Sequence, residues 1–307
     1  MNIKKVYIDG RIGIIETFFE ANPNIEIVDS PQKSDVIVVR NTVNHLEFLN
    51  KTIYIASEVP RTSHRRWCYE HFDEFKLVVC YNPEPGKNNQ IPFTPYDKPQ
   101  CYPMGRATFK QAEREDTTIK SRGVFFAGNR KDNDKTPDCF GGYNIMPLRT
   151  TLGEYFIKEF PKSKFMGIGW FGQKTKVAAW GKDKGEQINN SGCDFVLSLE
   201  NTYYPNCISE KLFDGFMSDR VTLYLGDINI EKHVPLNCFI DLRPYFNVKT
   251  KEFDLSALGK RIKEITQDEY DTILKNARQF QKDIYGNHTY YHQLLTNRVI
   301  DFIIKEC

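Results

Sequence analysis

The stretch CDFVLSLENTYYPNCISEKLFDGFMSDRVTLYLG, residues 193–226, decides the fold class of this chain. Asp194 to Leu199 reads as a buried strand that ends in the polar triplet Glu200-Asn201-Thr202. A short aromatic loop follows, Ser209-Glu210-Lys211-Leu212 opens a helix, and Val221 to Leu225 forms a second strand closed by Gly226. Ser209 is placed to satisfy an early unpaired helix amide. Leu212, Phe213, Phe216 and Met217 recur at helical spacing as an inward face. The result is a strand–loop–helix–strand unit of an α/β domain, with its polar residues at the carboxyl edge where such sheets bind ligands.

A helix start attracts anions through its amides and dipole, and Lys211 adds a full charge there. Glu210 beside it can accept hydrogen bonds from a ribose or sugar hydroxyl. A diphosphate bearing a sugar suits the pair; a capped helix with merely solvated Glu and Lys fits the pattern equally well. The segment resembles the donor-site signature of the α-1,3-fucosyltransferase family: Phe-Glu-Asn-Ser/Thr, a short loop, Thr-Glu-Lys-Leu and a Gly-ended strand. Glu200, Asn201, Thr202, Glu210, Lys211 and Gly226 match it, Ser209 replaces a threonine, and Cys207 stands where the family usually has tyrosine.

Composition narrows the alternatives. A chain of 307 residues with 40% hydrophobic and 27% charged residues is ordinary for a globular protein and long enough for two domains. A net charge of +2 argues against a dedicated nucleic-acid binder. No stretch approaches the ~20 apolar residues that span a bilayer, and MNIKKVYIDGRIGII reads as a first strand rather than a signal peptide. A cytoplasmic protein with no transmembrane segment is expected. The eight cysteines are scattered without a CxxC pair, so neither metal-ligand spacing nor a disulfide framework is expected, and Cys80, Cys193 and Cys238 read as buried thiols.

Outward from the opening stretch, strands and helices alternate. In the first third Lys5–Asp9, Ile25–Val28, Val36–Val39, Ile53–Ala56 and Leu77–Cys80 read as strands, with helices over Ile12–Ala21 and Ser63–Phe72. Residues 82–100 read as irregular. A second series follows: a strand over Val124–Ala127, a helix over Leu148–Phe160, a strand over Lys164–Met166, then helices over Leu255–Ile265, Asp268–Ile284 and Tyr291–Lys305. The alternation predicts mostly parallel sheets. The expected organisation is an N-terminal Rossmann-like domain over 1–115 on the acceptor side, a donor-binding Rossmann-like domain over 116–285, and a C-terminal helix over 286–307 packing back on the first. The resemblance implies the GT-B arrangement, with the two domains facing across a cleft.

Glu58 follows a strand in YIASEVP, where it reads either as a turn carboxylate or as a general base for a hydroxyl acceptor. The resemblance implies the base. Arg149, opening the helix over 148–160, has the forked donors that suit a diphosphate, as would a structural arginine pairing with a carboxylate. The resemblance implies an Asn after the preceding strand and then an Arg, roles that fall on Asn129 and on Arg149 or its competitor Arg130. The run Gly167-Ile-Gly-Trp-Phe-Gly172 has dinucleotide spacing, but no helix clearly follows it, so NAD is rejected. Asp132-Asn133-Asp134 reads as a hydrated turn in preference to a manganese site, and His64, His233, His288 and His292 read as surface or cap residues.

The resemblance thus implies an inverting, metal-independent glycosyltransferase. Its partners would be a nucleotide sugar, GDP-fucose above others, and a glycan acceptor, with no cofactor. Glu58 would be catalytic; Arg149, Asn201, Ser209, Glu210 and Lys211 would bind the donor. Asn129, Arg130, Glu200, Tyr204 and Cys207 are further site candidates. A transferase of another sugar nucleotide, such as UDP-xylose, and a silent carbohydrate-binding protein of the same fold remain as alternatives.

Overall fold

The computed structural model describes residues 3–10, 19–56, 63–80, 86–92, 114–128, 138, 142–170, 183–285 and 288–307. The chain divides into two compact units, Met1–Gln100 with Asn287–Cys307, and Cys101–Gly286.

The first unit is built on β1 (Lys4–Asp9), β2 (Ile25–Ile27), β3 (Val36–Arg40), β4 (Thr52–Ile55), β5 (Leu77–Cys80) and β6 (Gln90–Pro92), in the order β2-β1-β3-β4-β5-β6. Every pairing in it is parallel. A parallel sheet is covered on both faces, so its inner strands are apolar runs and not alternating ones. Accordingly, every residue of TIYI in β4 and LVVC in β5 is buried. Between these two strands lies α1 (Ser63–Glu70), followed by a turn whose Phe72 and Phe75 rings pack on Tyr54 at 6.0 and 5.1 Å. The expected helix over Ile12–Ala21 falls mostly outside the described residues, although Phe19 and Glu20 are helical and Phe19 is fully buried. β6 lies in the segment read as irregular. It is a three-residue edge strand ending in Pro92, and an edge is where a proline is tolerated, so the sequence carries little sign of it.

In the second unit the strands are β7 (Val124–Ala127), β8 (Tyr143–Asn144), β9 (Lys164–Met166), β10 (Phe195–Tyr204), β11 (Val221–Asp227) and β12 (Ile240–Asp241), with a small hairpin of β13 (Phe246–Asn247) and β14 (Glu252–Phe253). The helices are α2 (Leu148–Glu159), α3 (Asp183–Asn190), α4 (Glu210–Met217), α5 (Leu255–Glu264) and α6 (Gln267–Tyr285). A last helix, α7 (His288–Glu306), belongs to the first unit, with Val299, Ile300 and Ile303 buried. The main path of the second sheet is β12-β11-β10-β7-β9, parallel throughout. Numbered within its own unit, this is the same doubly wound order as the first sheet, whose ligand position lies at the point where the strand order reverses. In the second unit that point falls between β7 and β10.

The short strands β8, β12, β13 and β14 were not read from the sequence, and two further details depart from that reading. β10 does not stop at Leu199 but runs on to Tyr204, because β8 pairs antiparallel with Thr202 and Tyr203. Its register against β11 shifts between Leu199 and Tyr204, so Glu200 and Asn201 sit at an irregularity. α3 was not expected, since DKGEQINN offers almost no apolar face; Ile188 is its one fully buried hydrophobic residue among those described.

Aromatic packing fills the second core: Trp170 lies against Phe126 and Phe165 at 5.7 and 4.9 Å, while Phe195 meets Tyr270 at 5.6 Å. Trp170 belongs to the glycine-rich run after β9, where Gly167 and Gly169 take φ of 120° and 91° in a turn. No helix among the described residues is long and apolar enough to cross a membrane. Cys68, Cys80, Cys193, Cys207 and Cys238 are buried free thiols.

Asp194, at the foot of β10, ties the unit's first segment to its sheet. Its Oδ2 accepts the N–H groups of Ser121 and Arg122 at 2.7 Å each and that of Lys120 at 3.2 Å. Asp194→Ala leaves these partly buried donors unmatched, and a cost of about 2 kcal/mol is expected. The urea midpoint measures it; an unchanged midpoint refutes the anchor.

Candidate functional site

The site grows from the irregular end of β10. Glu200 is 2% exposed, a carboxylate that burial makes costly unless it is paired. The start of α4 supplies the partners. Ser209 N–H donates to Glu200 Oε1 at 2.8 Å, Ser209 Oγ–H donates to Oε2 at 2.6 Å, and Lys211 Nζ reaches Oε2 at 3.2 Å. Ser209 also caps α4, its Oγ accepting from Lys211 N–H at 3.4 Å, and it receives Lys211 Nζ at 2.7 Å. Gly226 on β11 completes the packing: a Cβ there would stand 2.1 Å from Glu200 Cγ, so only glycine lets the strand pass.

This closed arrangement corrects one expectation. The positive end of α4 is not an open anion cradle, because the Glu200 carboxylate already takes the Ser209 amide. The Lys211 ammonium carries three donors. Two go to Ser209 and Glu200, and the Glu210 carboxylate stands at 3.7 Å, beyond hydrogen-bond reach. Its third N–H makes no hydrogen bond among the described residues. Burial works against the lysine's charge, but Glu200 and then Glu210 outweigh it, so its pKa is raised and it stays ionised at neutral pH.

Arg149 is buried in the first turn of α2, where its Nη2 donates to Asn201 Oδ1 at 2.7 Å and its guanidinium lies 5.9 Å from the Phe126 ring centre. The Arg149 charge is felt at Lys211, whose pKa it opposes. Five of the expected donor residues, Arg149, Asn201, Ser209, Glu210 and Lys211, therefore come together around Glu200. Tyr204 and Cys207 are buried, at 3% and 9% exposure. Glu58, Asn129, Arg130 and Asp132–Asp134 lie outside the described residues. Among the described residues no cluster of three or more histidine, cysteine or acidic side chains could hold a metal.

Three supports escaped the sequence reading. Ser198, one turn of the pleat before Glu200, donates to the Lys211 carbonyl at 2.6 Å and holds α4 against β10. Lys184 of α3 pairs with Asp214 of α4, with little solvent access to either. The helix carrying Lys184 was not read, so its partner could not be. His233 is a cap and not a surface residue: it closes the turn 230–232, is 2% exposed and faces Asn206 and Asp227. The apolar neighbours Ile230 and Val234, both fully buried, were the available sign.

The model of glycosyltransferase family 10 (fucosyltransferase) C-term matches residues 153–272, which span Asn201, Glu200, Ser209, Glu210 and Lys211. The resemblance read from the sequence is borne out across this segment. The chain is similar to the 4-galactosyl-N-acetylglucosaminide 3-alpha-L-fucosyltransferase 9 of Homo sapiens, 29% identical over 124 residues that make up 38% of this chain and 32% of the relative. The Mus musculus protein of the same name is 28% identical over the same shares. The chain thus spans about a third of the length of these curated relatives. Among solved structures it resembles an alpha1,3-fucosyltransferase with GDP at a TM-score of 0.58 and 14% identity, covering 88% of this chain and 81% of that one. The same enzyme type with GDP-fucose gives 0.56 and 13%, with the same coverage. At such identity the likeness speaks for the fold, and the fold is GT-B: two Rossmann-like α/β units of parallel sheet.

Lys211→Met keeps the stem and removes the charge, leaving the Glu200 carboxylate buried without its cation. Breaking a buried pair from one side costs about 3 kcal/mol. Because the lysine's pKa is raised, this contribution is present in full at neutral pH and is lost only as pH climbs through the raised value. Urea denaturation of both proteins near neutrality is expected to show the loss; equal midpoints refute the pairing.

Proposed function

We propose that this protein is a glycosyltransferase that moves fucose from GDP-fucose to a hydroxyl of a glycan acceptor, with inversion at the anomeric carbon. The observation that carries the reading is the cationic pair of Lys211 and Arg149 gathered at the end of β10, beside Asn201 and Glu210; all of these but Arg149 lie in the segment, residues 153–272, matched by the fucosyltransferase family. The names of the similar proteins support fucose, GDP and a glycan acceptor.

In this mechanism the acceptor hydroxyl gives its proton to Glu58 while its oxygen attacks the anomeric carbon. The new carbon–oxygen bond forms on the face opposite the diphosphate. The bond to the β-phosphate oxygen breaks, and its electron pair departs with GDP. The remaining Lys211 N–H and the Arg149 guanidinium stabilise that growing charge, in surroundings already dry and already oriented by Glu200 and Asn201. Glu210 serves a ribose or sugar hydroxyl.

Glu58→Gln is nearly isosteric and removes only the ability to take a proton. Transfer is expected to fall by roughly 10²–10⁴-fold while GDP-fucose affinity, read by calorimetry, stays at the wild-type value. Near-normal transfer would move the base to another carboxylate; weakened donor binding would place Glu58 at the donor.

Cationic side chains take the metal's part in this reading, so transfer is expected to survive EDTA. Loss on chelation with recovery in Mn²⁺ would shift attention to Asp132–Asp134. Thermal shifts with GDP, UDP and their sugars decide the donor: stabilisation by GDP compounds is expected. Stabilisation by UDP compounds would favour another sugar nucleotide, and none at all would favour a silent binding protein.

A further inference from the structure

Asn206 stands at φ 59°, in the loop that leads from β10 to α4. Asparagine tolerates this left-handed conformation better than most residues, but it holds it only with local anchors. Here the anchors come from the end of β11 and the turn that follows it. The Asn206 N–H donates to Asp227 Oδ1 at 2.5 Å, and the Asn229 N–H donates to the same oxygen at 2.8 Å. The Asn206 Oδ1 accepts from Asn229 Nδ2 at 3.1 Å and faces His233 Nε2 at 3.2 Å. An amide oxygen only accepts, so His233 carries its proton on Nε2. Asp227 is fully buried, and its Oδ2 has no hydrogen-bond donor among the described residues, with His233 Nε2 at 3.7 Å.

Several other charged and titratable groups lie around Asp227. On β11 the Tyr224 hydroxyl, which accepts the Asp227 N–H at 3.1 Å, is driven by burial far above its ordinary range. Tyr203 of β10, also influenced by Asp227, is raised by burial. Glu231 and Arg243 interact with Asp227 and bond to each other at 2.6 Å; although burial opposes both charges, that bond lowers the acid and helps raise the base. Both stay charged across neutral pH. Burial, then Lys232, pushes His233 down, so it is neutral there. Cys207 and Glu200 complete the ring of groups around Tyr224. Burial pushes the Asp227 carboxyl itself up to about 7.

We propose that Asp227 is a positioning residue for the donor site: ionised, it grips the Asn206 amide and so fixes the loop that delivers Ser209 and Lys211; protonated, it loosens that grip. Its consequence for donor binding rests on the function proposed above, whereas the clasp itself does not. A carboxylate accepts backbone N–H bonds more strongly than a neutral acid does, so the loop tightens as pH rises through neutrality. Global stability moves the other way. The folded chain holds a proton that the unfolded chain has released between about 4 and about 7, so stability falls as pH rises through that window. A merely structural hydrogen bond would produce neither trend.

The test is hydrogen exchange of the peptide spanning 200–212 in the full chain without ligand, corrected for intrinsic rate, from about pH 5.5 to about pH 8.5. Protection is expected to rise roughly fivefold across neutrality in the wild type. Asp227→Asn, which keeps an Oδ1 acceptor but cannot ionise, should give a flat profile, while His233→Gln, which keeps a donor to Asn206, should retain the rise. No rise in the wild type, or the same rise in Asp227→Asn, overturns the proposal. Loss of the rise in His233→Gln hands the titration to the histidine and overturns it too. Calorimetry with GDP over the same range is expected to follow the loop, and an affinity unmoved by pH refutes the positioning role. If the loop behaves as expected yet GDP binds at no pH, it is the assignment of the donor that fails, and the clasp stands.

Discussion

The buried carboxylate of Glu200 is the constraint on which the second unit's chemistry depends. A charge at 2% exposure is tolerable only when hydrogen bonds and a cation surround it. Those partners, the Ser209 amide and hydroxyl and the Lys211 ammonium, all come from the start of α4. The need to pair one carboxylate therefore sets where the helix begins, which way its first turn faces, and where its lysine points. Gly226 follows from the same need, since the neighbouring strand must pass without a side chain.

Around this centre the unit places hydrogen bonds and an ion pair that fix the neighbouring groups. Ser198 holds the Lys211 carbonyl, Asn201 holds Arg149, and Lys184 holds Asp214 on the outer turn of α4. Each fixes one group whose position matters. Such a site has its dipoles oriented before anything binds, which is how protein groups stabilise developing charge better than water can. The same closure explains why the helix start is not an anion pocket by itself: the Ser209 amide is already taken by Glu200.

Both units use one strand order, and the physics behind it is common. A parallel sheet buried on both faces leaves polar chemistry only at the carboxyl edge, where strand order reverses and a crevice opens. In the second unit Glu200 and Asn201 sit on β10, one of the two strands at that reversal, where an irregular register frees the chain from strict pairing. In the first unit Asp9 ends β1 at the corresponding place and is held by the N–H and side chain of Asn44 at 3.3 and 2.9 Å.

Sequence by itself determined much of this protein. Runs such as VIVV, TIYI and LVVC could only be covered strands, and the capped amphipathic pattern of Ser209 to Met217 could only bury one face, so the alternating α/β architecture was legible. The polar residues at the end of β10 and the start of α4 stood out too, but spacing alone left them open between a ligand site and a solvated cap, and it was the resemblance that implied a donor site. Tertiary structure decided what local pattern cannot encode. Which carboxylate occupies the start of α4 depends on a residue nine positions away on another element. The extension of β10 to Tyr204 depends on pairing with a distant two-residue strand, and among the described residues α3 offers the buried Ile188 side chain and the Lys184–Asp214 ion pair. His233 read as a surface or cap residue; it does cap the short turn 230–232, and its burial was hidden because it is set by what packs over it. Short-range sequence records propensity and periodicity; the pairing of buried charges is a long-range energy, and only the folded chain brings its partners together.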